Sequence, residues 1–212
     1  MDELLLIGTA SLLLGMRHAT DPDHVLAVAT IVSREQSLRG AARIGAIWGL
    51  GHGFTLAAVG GSVISFRLVL TPRVGLSLEF AVALMLMVLG ALALWRRRSA
   101  PGRLTSLRPF AVGVVHGLAG SAAASVLVVS AMADADWGLV YLLVFSVGTL
   151  VGMTIMTSVL AAPSLLAGHR RLHWLQGLRT AAGALTLAFG CYLAFRIGIV
   201  DGLLVPSSHD TP

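Results

Sequence analysis

The chain has 212 residues, of which 56% are hydrophobic and only 12% are charged, and its mean hydropathy is +0.86. Soluble domains carry about 25% charged residues, so this composition excludes an ordinary soluble protein and predicts an integral membrane protein. The formal charge of +5 comes from arginine alone. Because the arginines flank apolar segments, we expect them to orient the chain in a bilayer and do not expect nucleic-acid binding. The single cysteine, Cys191, gives neither a disulfide nor a Cys-based metal site.

Six apolar segments are long enough to cross a bilayer, which takes about 20 residues. They cover residues 4–32, 44–66, 75–95, 109–132, 137–162 and 174–199. The first segment qualifies only if the polar residues within it face the interior of a helix bundle. The sequence therefore predicts an all-α, polytopic membrane protein with six transmembrane helices, forming a single transmembrane domain over residues 1–212.

Arginines are concentrated in the connectors that follow spans 1, 3 and 5. These connectors carry Arg34, Arg39 and Arg43, then Arg96, Arg97, Arg98, Arg103 and Arg108, then Arg170, Arg171 and nearby Arg179. The connector after span 4 carries Asp134 and Asp136 instead. The positive-inside rule then places the basic connectors in the cytoplasm and both termini outside. We predict a multi-pass protein of a bacterial-type inner (plasma) membrane.

The two halves of the chain resemble each other, with repeat 1 over about 4–95 and repeat 2 over about 109–199. Three motifs recur in the same order: Gly15-x-x-His18 as Gly113-x-x-His116, Gly49-x-x-x-Gly53-x-Thr55 as Gly148-x-x-x-Gly152-x-Thr154, and Gly90 five residues before Trp95 as Gly190 five residues before Phe195. Tandem repeats of three spans must lie in opposite orientations in the bilayer. This predicts the 3+3 inverted repeat of many secondary transporters, whose binding sites lie near the midplane. Chance similarity among glycine-rich helices is the other interpretation.

A polar cluster interrupts the first span. Its members lie within eight residues of one another and are Arg17, His18, Asp21, Asp23 and His24. An Asp or Arg at the centre of a spanning helix costs about 2.5–3.5 kcal/mol. The cluster must therefore face the bundle interior, pair internally or bind a ligand, and it is a candidate functional site.

The cluster also contains a helix breaker. Pro22 lacks an N–H group and disfavours a helical conformation at Asp21, so the helix should kink or unwind here. Irregular backbone in a membrane is tolerated where it lines a cavity, and broken spans mark transporter sites. Imidazoles combined with carboxylates suit borderline divalent ions such as Ni, Co and Zn. The spacing thus indicates a metal site formed by His18, Asp21, Asp23 and His24.

Two further histidines lie inside predicted spans beside glycines: His52 in the second span and His116 in the fourth. Both are candidate metal ligands, although a lone intramembrane histidine also serves as a hydrogen-bonded structural group. We predict that the other three histidines are solvated, in connectors or in the C-terminal tail: His169, His173 and His209.

These motifs are similar to those of a known transporter family. The stretch from Arg17 to His24 resembles the His-x4-Asp-His signature of the nickel/cobalt transporter family, including its preceding Gly-x-Arg. Leu50-Gly51-His52 resembles that family's second motif, and the stretch from His116 to Gly120 resembles a later motif in degenerate form. With six predicted spans and no long His-rich loop, the chain most resembles the short branch of this family, which is associated with urease accessory permeases.

The resemblance implies a permease for Ni2+ or Co2+, not an enzyme, in which His18, Asp23, His24 and His52 handle the metal. Uptake is favoured over export. The ion is the transported substrate, and no cofactor is expected to be required. The expected partners are the lipid bilayer and a divalent metal ion, and nucleic acid is not expected as a partner. Two questions stay open: whether the chain forms a homo-oligomer, and whether it delivers the ion to a cytoplasmic nickel enzyme or chaperone.

In the expected mechanism the ion binds in the broken first span. His18 and His24 supply imidazole nitrogens, Asp21 or Asp23 offsets charge, and Arg17 orients a carboxylate. His52 completes or gates the site. The alternatives are an exporter of another divalent metal or of a small anion, a metal-dependent membrane enzyme, and an assembly subunit whose polar cluster only locks helices together.

Overall fold

The structure, a computed structural model, describes residues 2–33, 35, 37–68, 70–95, 107–131, 135–166 and 172–205. Every regular element in these ranges is helical, which confirms the all-α part of the predicted fold. Several residues on which the predicted orientation depends lie outside them, including Arg34, the arginines from Arg96 to Arg103, Asp134, Arg170 and Arg171; His169 and His209 do so as well.

Helices α1 (Asp2–His18) and α2 (Pro22–Val32) are short and separated by a break. Helix α3 (Leu38–Thr55) continues through a π-helical turn (Leu56–Gly60) into α4 (Gly61–Ser65). The later helices are α5 (Pro72–Trp95), α6 (Leu107–Ala131), α7 (Ala135–Leu166) and α8 (Leu172–Phe195), and a second π-helical turn (Arg196–Val200) follows α8.

Within the described residues, 4 helical stretches are long and apolar enough to cross a membrane. They are Leu38–Ser65, Pro72–Trp95, Asp136–Ser164 and Leu175–Val200, and they match predicted spans 2, 3, 5 and 6. The chain is therefore a membrane protein. The first predicted span corresponds to α1 and α2, and the fourth corresponds to α6. Six spans stay a prediction.

The predicted helix break lies where proline requires it. Helix α1 ends at His18, and Asp21 is extended (φ −61°, ψ 144°) at the N-terminus of α2. Pro22 occupies the first position of α2, where its missing N–H would have no intrahelical partner in any case. The polar residues of the first span are therefore presented by a short irregular connection between two helices.

Close contacts between backbones hold the bundle together. Helix α1 packs on α7, α3 packs on α6 and α7, and α5 packs on α8. A Cβ at Gly15 would collide with the backbone of Phe145, and one at Gly113 would collide with the carbonyl of Trp48. These glycines let α1 approach α7, and α6 approach α3, closely enough to bring distant polar side chains together.

The apolar core lies around the break between α1 and α2. Its buried side chains come from five helices and include Val28, Trp48, Leu86, Val112 and Met153. Hydrogen bonds also fix α2: Thr186 in α8 donates to the Leu26 carbonyl at 3.0 Å, and Arg179 donates to the Ser33 carbonyl at 2.8 Å. Helix α2 is thereby held in one position against the rest of the bundle.

Replacing Gly113 by alanine is expected to destabilise the protein by about 1–3 kcal/mol, because the added methyl group overpacks the α3–α6 contact. Thermal unfolding in detergent would measure the effect. Gly8→Ala is the matched control, since a Cβ there meets no atom within 4 Å. Equal melting temperatures for the two variants would contradict the close approach of α6 to α3.

A candidate metal centre

Four histidines from four helices converge beside the helix break: His18 from α1, His24 from α2, His52 from α3 and His116 from α6. The ring centroids of His24 lie 4.6 Å from His18, 5.3 Å from His52 and 4.3 Å from His116. His24, His52 and His116 are each at most 2% exposed, and the His18 side chain is 22% exposed. The sequence-predicted histidines of the four helices therefore form one cluster.

Two aspartates contact this cluster through its histidines. His18 Nδ1 lies 2.7 Å from Asp21 Oδ2. Asp23 bridges two rings, with Oδ1 3.1 Å from His24 Nδ1 and Oδ2 3.0 Å from His116 Nε2. A carboxylate that accepts a hydrogen bond from one ring N–H fixes the tautomer and leaves the other nitrogen free to bind a metal. In this arrangement Asp21 orients His18, and Asp23 orients both His24 and His116.

Several ring nitrogens of the cluster are buried and have no hydrogen-bond partner among the described residues. They are His18 Nε2, His24 Nε2, both nitrogens of His52 and His116 Nδ1. A buried polar group without a partner costs about 1–3 kcal/mol, and such groups are rare in folded proteins. Several of them in one place indicate that the cluster is built for a ligand that accepts nitrogen lone pairs.

The geometry of three of these rings fits a cation. His18, His24 and His52 each offer a nitrogen, and these atoms lie within 4.8 Å of one another. Two nitrogens that bind one ion tetrahedrally at about 2.1 Å are about 3.4 Å apart, so each pair of rings would have to close by at most about 1.4 Å. Three imidazoles supported by carboxylates suit a first-row divalent ion such as Ni2+, Co2+ or Zn2+.

Arg17 lies apart from these contacts. Its side chain is exposed, and the ion pairs of Asp21 and Asp23 within the described residues are with histidines. The carboxylates are therefore already oriented without the guanidinium.

Three residues of the site were not predicted from the sequence. The ring of Trp48 lies 5.5 Å from His24 and 5.8 Å from His116, and Phe145 lies 5.5 Å from His18. A Cβ built on Gly120 would be 3.5 Å from His18 Nε2 and 3.4 Å from His52 Cε1. Trp48 precedes His52 by four residues and Gly120 follows His116 by four. The i, i+4 spacing places each on its histidine's helix face, and this signal could have found both.

One comparison with known proteins identifies a relative over nearly the whole chain. The chain is 31% identical over 220 residues to the urease accessory protein UreH of Bacillus sp. (strain TB-90), a match that covers 95% of this chain and 96% of the relative. No family model and no solved structure matches the chain.

Proposed function

The chain belongs to the family of the urease accessory protein UreH, and we propose that it is a permease that carries Ni2+ into the cell through the four-histidine cluster. The relative is named an accessory protein, and the chain is not an enzyme. The observation that carries the proposal is His52, whose two ring nitrogens are both buried without a partner among the described residues, next to His18 and His24.

In the proposed site the ion binds to Nε2 of His18, Nε2 of His24 and one nitrogen of His52. Asp21 and Asp23 act behind the first two ligands and hold their free nitrogens toward the ion. The two carboxylates also offset the charge of the cation. Because no thiolate is present among these groups, the site favours a borderline divalent ion over Cu(I).

The contacts weigh against the alternatives. A cluster that only locks helices together would use its polar atoms on one another, yet five ring nitrogens are left without a described partner. A small anion would need positive groups, whereas the side chains that contact the histidines of the cluster include two carboxyl groups, and Arg17 is exposed. A divalent cation satisfies both the nitrogen lone pairs and the carboxylates.

The choice of ion and direction depends on the family. Affinity order alone does not separate Ni2+ from Co2+ or Zn2+ at an imidazole site. The link to a urease accessory protein favours Ni2+, with Co2+ as a competing substrate, and it favours uptake, since urease needs nickel in the cytoplasm. We further propose that the imported ion is delivered to a cytoplasmic nickel enzyme or its chaperone.

We propose six spans arranged as a 3+3 inverted repeat, with both termini outside. The proposal is supported by helix–helix contacts that each half of the chain makes with the other in the same way. A Cβ at Gly90 would meet Leu187 and Gly183, and a Cβ at Gly190 would meet Met87 and Ala83. These two sets of contacts are related by one exchange of α5 with α8, as a two-fold axis in the membrane plane requires.

Cells that express the chain are expected to accumulate labelled Ni2+ several-fold above cells without it. Unlabelled Co2+ should reduce the accumulation, and sulfite should not. The direction is checked in cells preloaded with Ni2+, which should retain the metal as well as cells without the protein. Faster loss from preloaded cells would identify an exporter, and competition by sulfite would identify an anion carrier.

A further inference from the structure

We propose that the cluster holds two ion positions on either side of the His24 ring, and that the transported ion passes from one to the other as His24 exchanges its coordinating nitrogen. The inference rests on the proposed function and deepens it. The first position is formed by His18, His24 and His52. The second is formed by Asp23, His24 and His116, whose ligand atoms also lie within 4.8 Å of one another.

The two faces of the His24 ring point to different partners. Its Nδ1 lies 3.1 Å from Asp23 Oδ1, and Asp23 in turn lies 3.0 Å from His116 Nε2. Its Nε2 is buried without a partner among the described residues, as is His18 Nε2. Since one ring nitrogen faces each donor set, His24 can serve either position but serves both only in turn.

The second position becomes a metal site when its protons move. In the hydrogen-bonded state His24 Nδ1 and His116 Nε2 each donate a hydrogen bond to Asp23. For an ion to bind there, each ring releases that proton to water and takes up a proton from water on its other nitrogen, which is Nε2 in His24 and Nδ1 in His116. Both receiving nitrogens have no partner among the described residues. The exchange changes no net charge, and the ion gains a carboxylate ligand in the second position.

A transporter must release its ion as well as bind it. A site that binds an ion with three fixed ligands releases it slowly, whereas a second donor set on the other side of the same ring gives the ion a nearby position to move to. Each position has one partly exposed member: the His18 side chain is 22% exposed and the Asp23 side chain is 28% exposed. An ion could therefore enter at one position and leave at the other.

The test uses Co2+ as a probe with the purified full-length protein, because its visible absorption reports ligand number and type. The variants are His52→Leu, which removes only the first position, His116→Leu, which removes only the second, and His24→Leu, which removes both. His209→Leu is the matched control. His18→Leu is a second variant of the first position, should His52→Leu fail to elute as a folded protein in size-exclusion chromatography.

The wild type and His209→Leu are expected to bind one Co2+ each. His52→Leu and His116→Leu should also bind one, with spectra that differ from each other, while both lose Ni2+ uptake. His24→Leu should show no measurable binding. If neither first-position variant binds Co2+ while the wild type does, or if His116→Leu keeps full uptake, two positions are excluded and the proposed function stands. If the wild type binds neither Co2+ nor Ni2+, the proposed function itself fails.

Discussion

Replacing His52 by leucine is expected to abolish Ni2+ uptake while leaving the metal-free protein at least as stable as the wild type. His52 is fully buried, and neither ring nitrogen has a hydrogen-bond partner among the described residues. Each such nitrogen costs about 1–3 kcal/mol in the folded protein. Leucine fills a similar volume with apolar atoms, so the substitution removes this cost together with the ligand.

The two readouts separate a metal ligand from a structural histidine. When a metal ligand that is unfavourable without its ion is replaced, the protein loses function but keeps or gains stability. This is the usual trade-off at functional sites. A histidine that only holds helices together would lower the melting temperature on replacement. The measurements are labelled Ni2+ uptake in cells and thermal unfolding of the purified protein after chelation, with His209→Leu as control. Retained uptake, or a clear drop in melting temperature, would contradict the assignment.

Replacing Gly120 by valine is expected to lower Ni2+ uptake by at least about 10-fold, with every proposed ligand still in place. A Cβ at this position would lie 3.5 Å from His18 Nε2 and 3.7 Å from His52 Nε2. Those distances are ordinary contacts in the metal-free protein, so alanine is accommodated. The branched methyl groups of valine extend about 1.5 Å further, into the space between the two nitrogens where the ion would bind.

Substitutions of increasing size at Gly120, with a control at Gly75, complete this second experiment. Gly120→Ala should reduce uptake less than Gly120→Val, and Gly75→Val should leave it unchanged, since a Cβ at Gly75 meets no atom within 4 Å. Melting temperatures of the metal-free variants check that the loss comes from occupied space and not from unfolding. Wild-type uptake by Gly120→Val would exclude an ion between His18 and His52 on this side of the cluster.

The sequence predicted the helix break correctly because its cause is local. Pro22 cannot continue a helix from His18, and the structure has α2 begin at that residue. The sequence also indicated that His18, His24, His52 and His116 share one function, and the structure brings their rings into one cluster. This prediction was possible because polar side chains inside apolar spans have few alternatives to meeting one another.

Contacts between helices were less accessible from the sequence. Two features depend on how α1 and α2 pack against the rest of the bundle: which oxygen of Asp23 faces which ring, and the exposure of Arg17. The glycine-rich segments of the two halves can also be aligned with each other in more than one sequence register. The motif comparison aligned Gly49 with Gly148, yet it is Gly51 that contacts the carbonyl of Phe110 as Gly148 contacts that of Leu12. Side-chain direction and helix register are set by packing, which short motifs do not specify.

If α1 and α2 together form the proposed first span, the break between them has a consequence for biogenesis. Helix α1 has 17 residues and α2 has 11, so α2 extends only about 16 Å, about half the thickness of the hydrocarbon layer. When the ribosome has synthesised the chain only as far as α2, an unwound segment and charged side chains would be in contact with lipid. Asp21 and Asp23 contact His18 and His24 of the same segment, whereas His52 and His116 arrive only with α3 and α6. We therefore expect the N-terminal helices to settle at full depth last, after the C-terminal half has been synthesised.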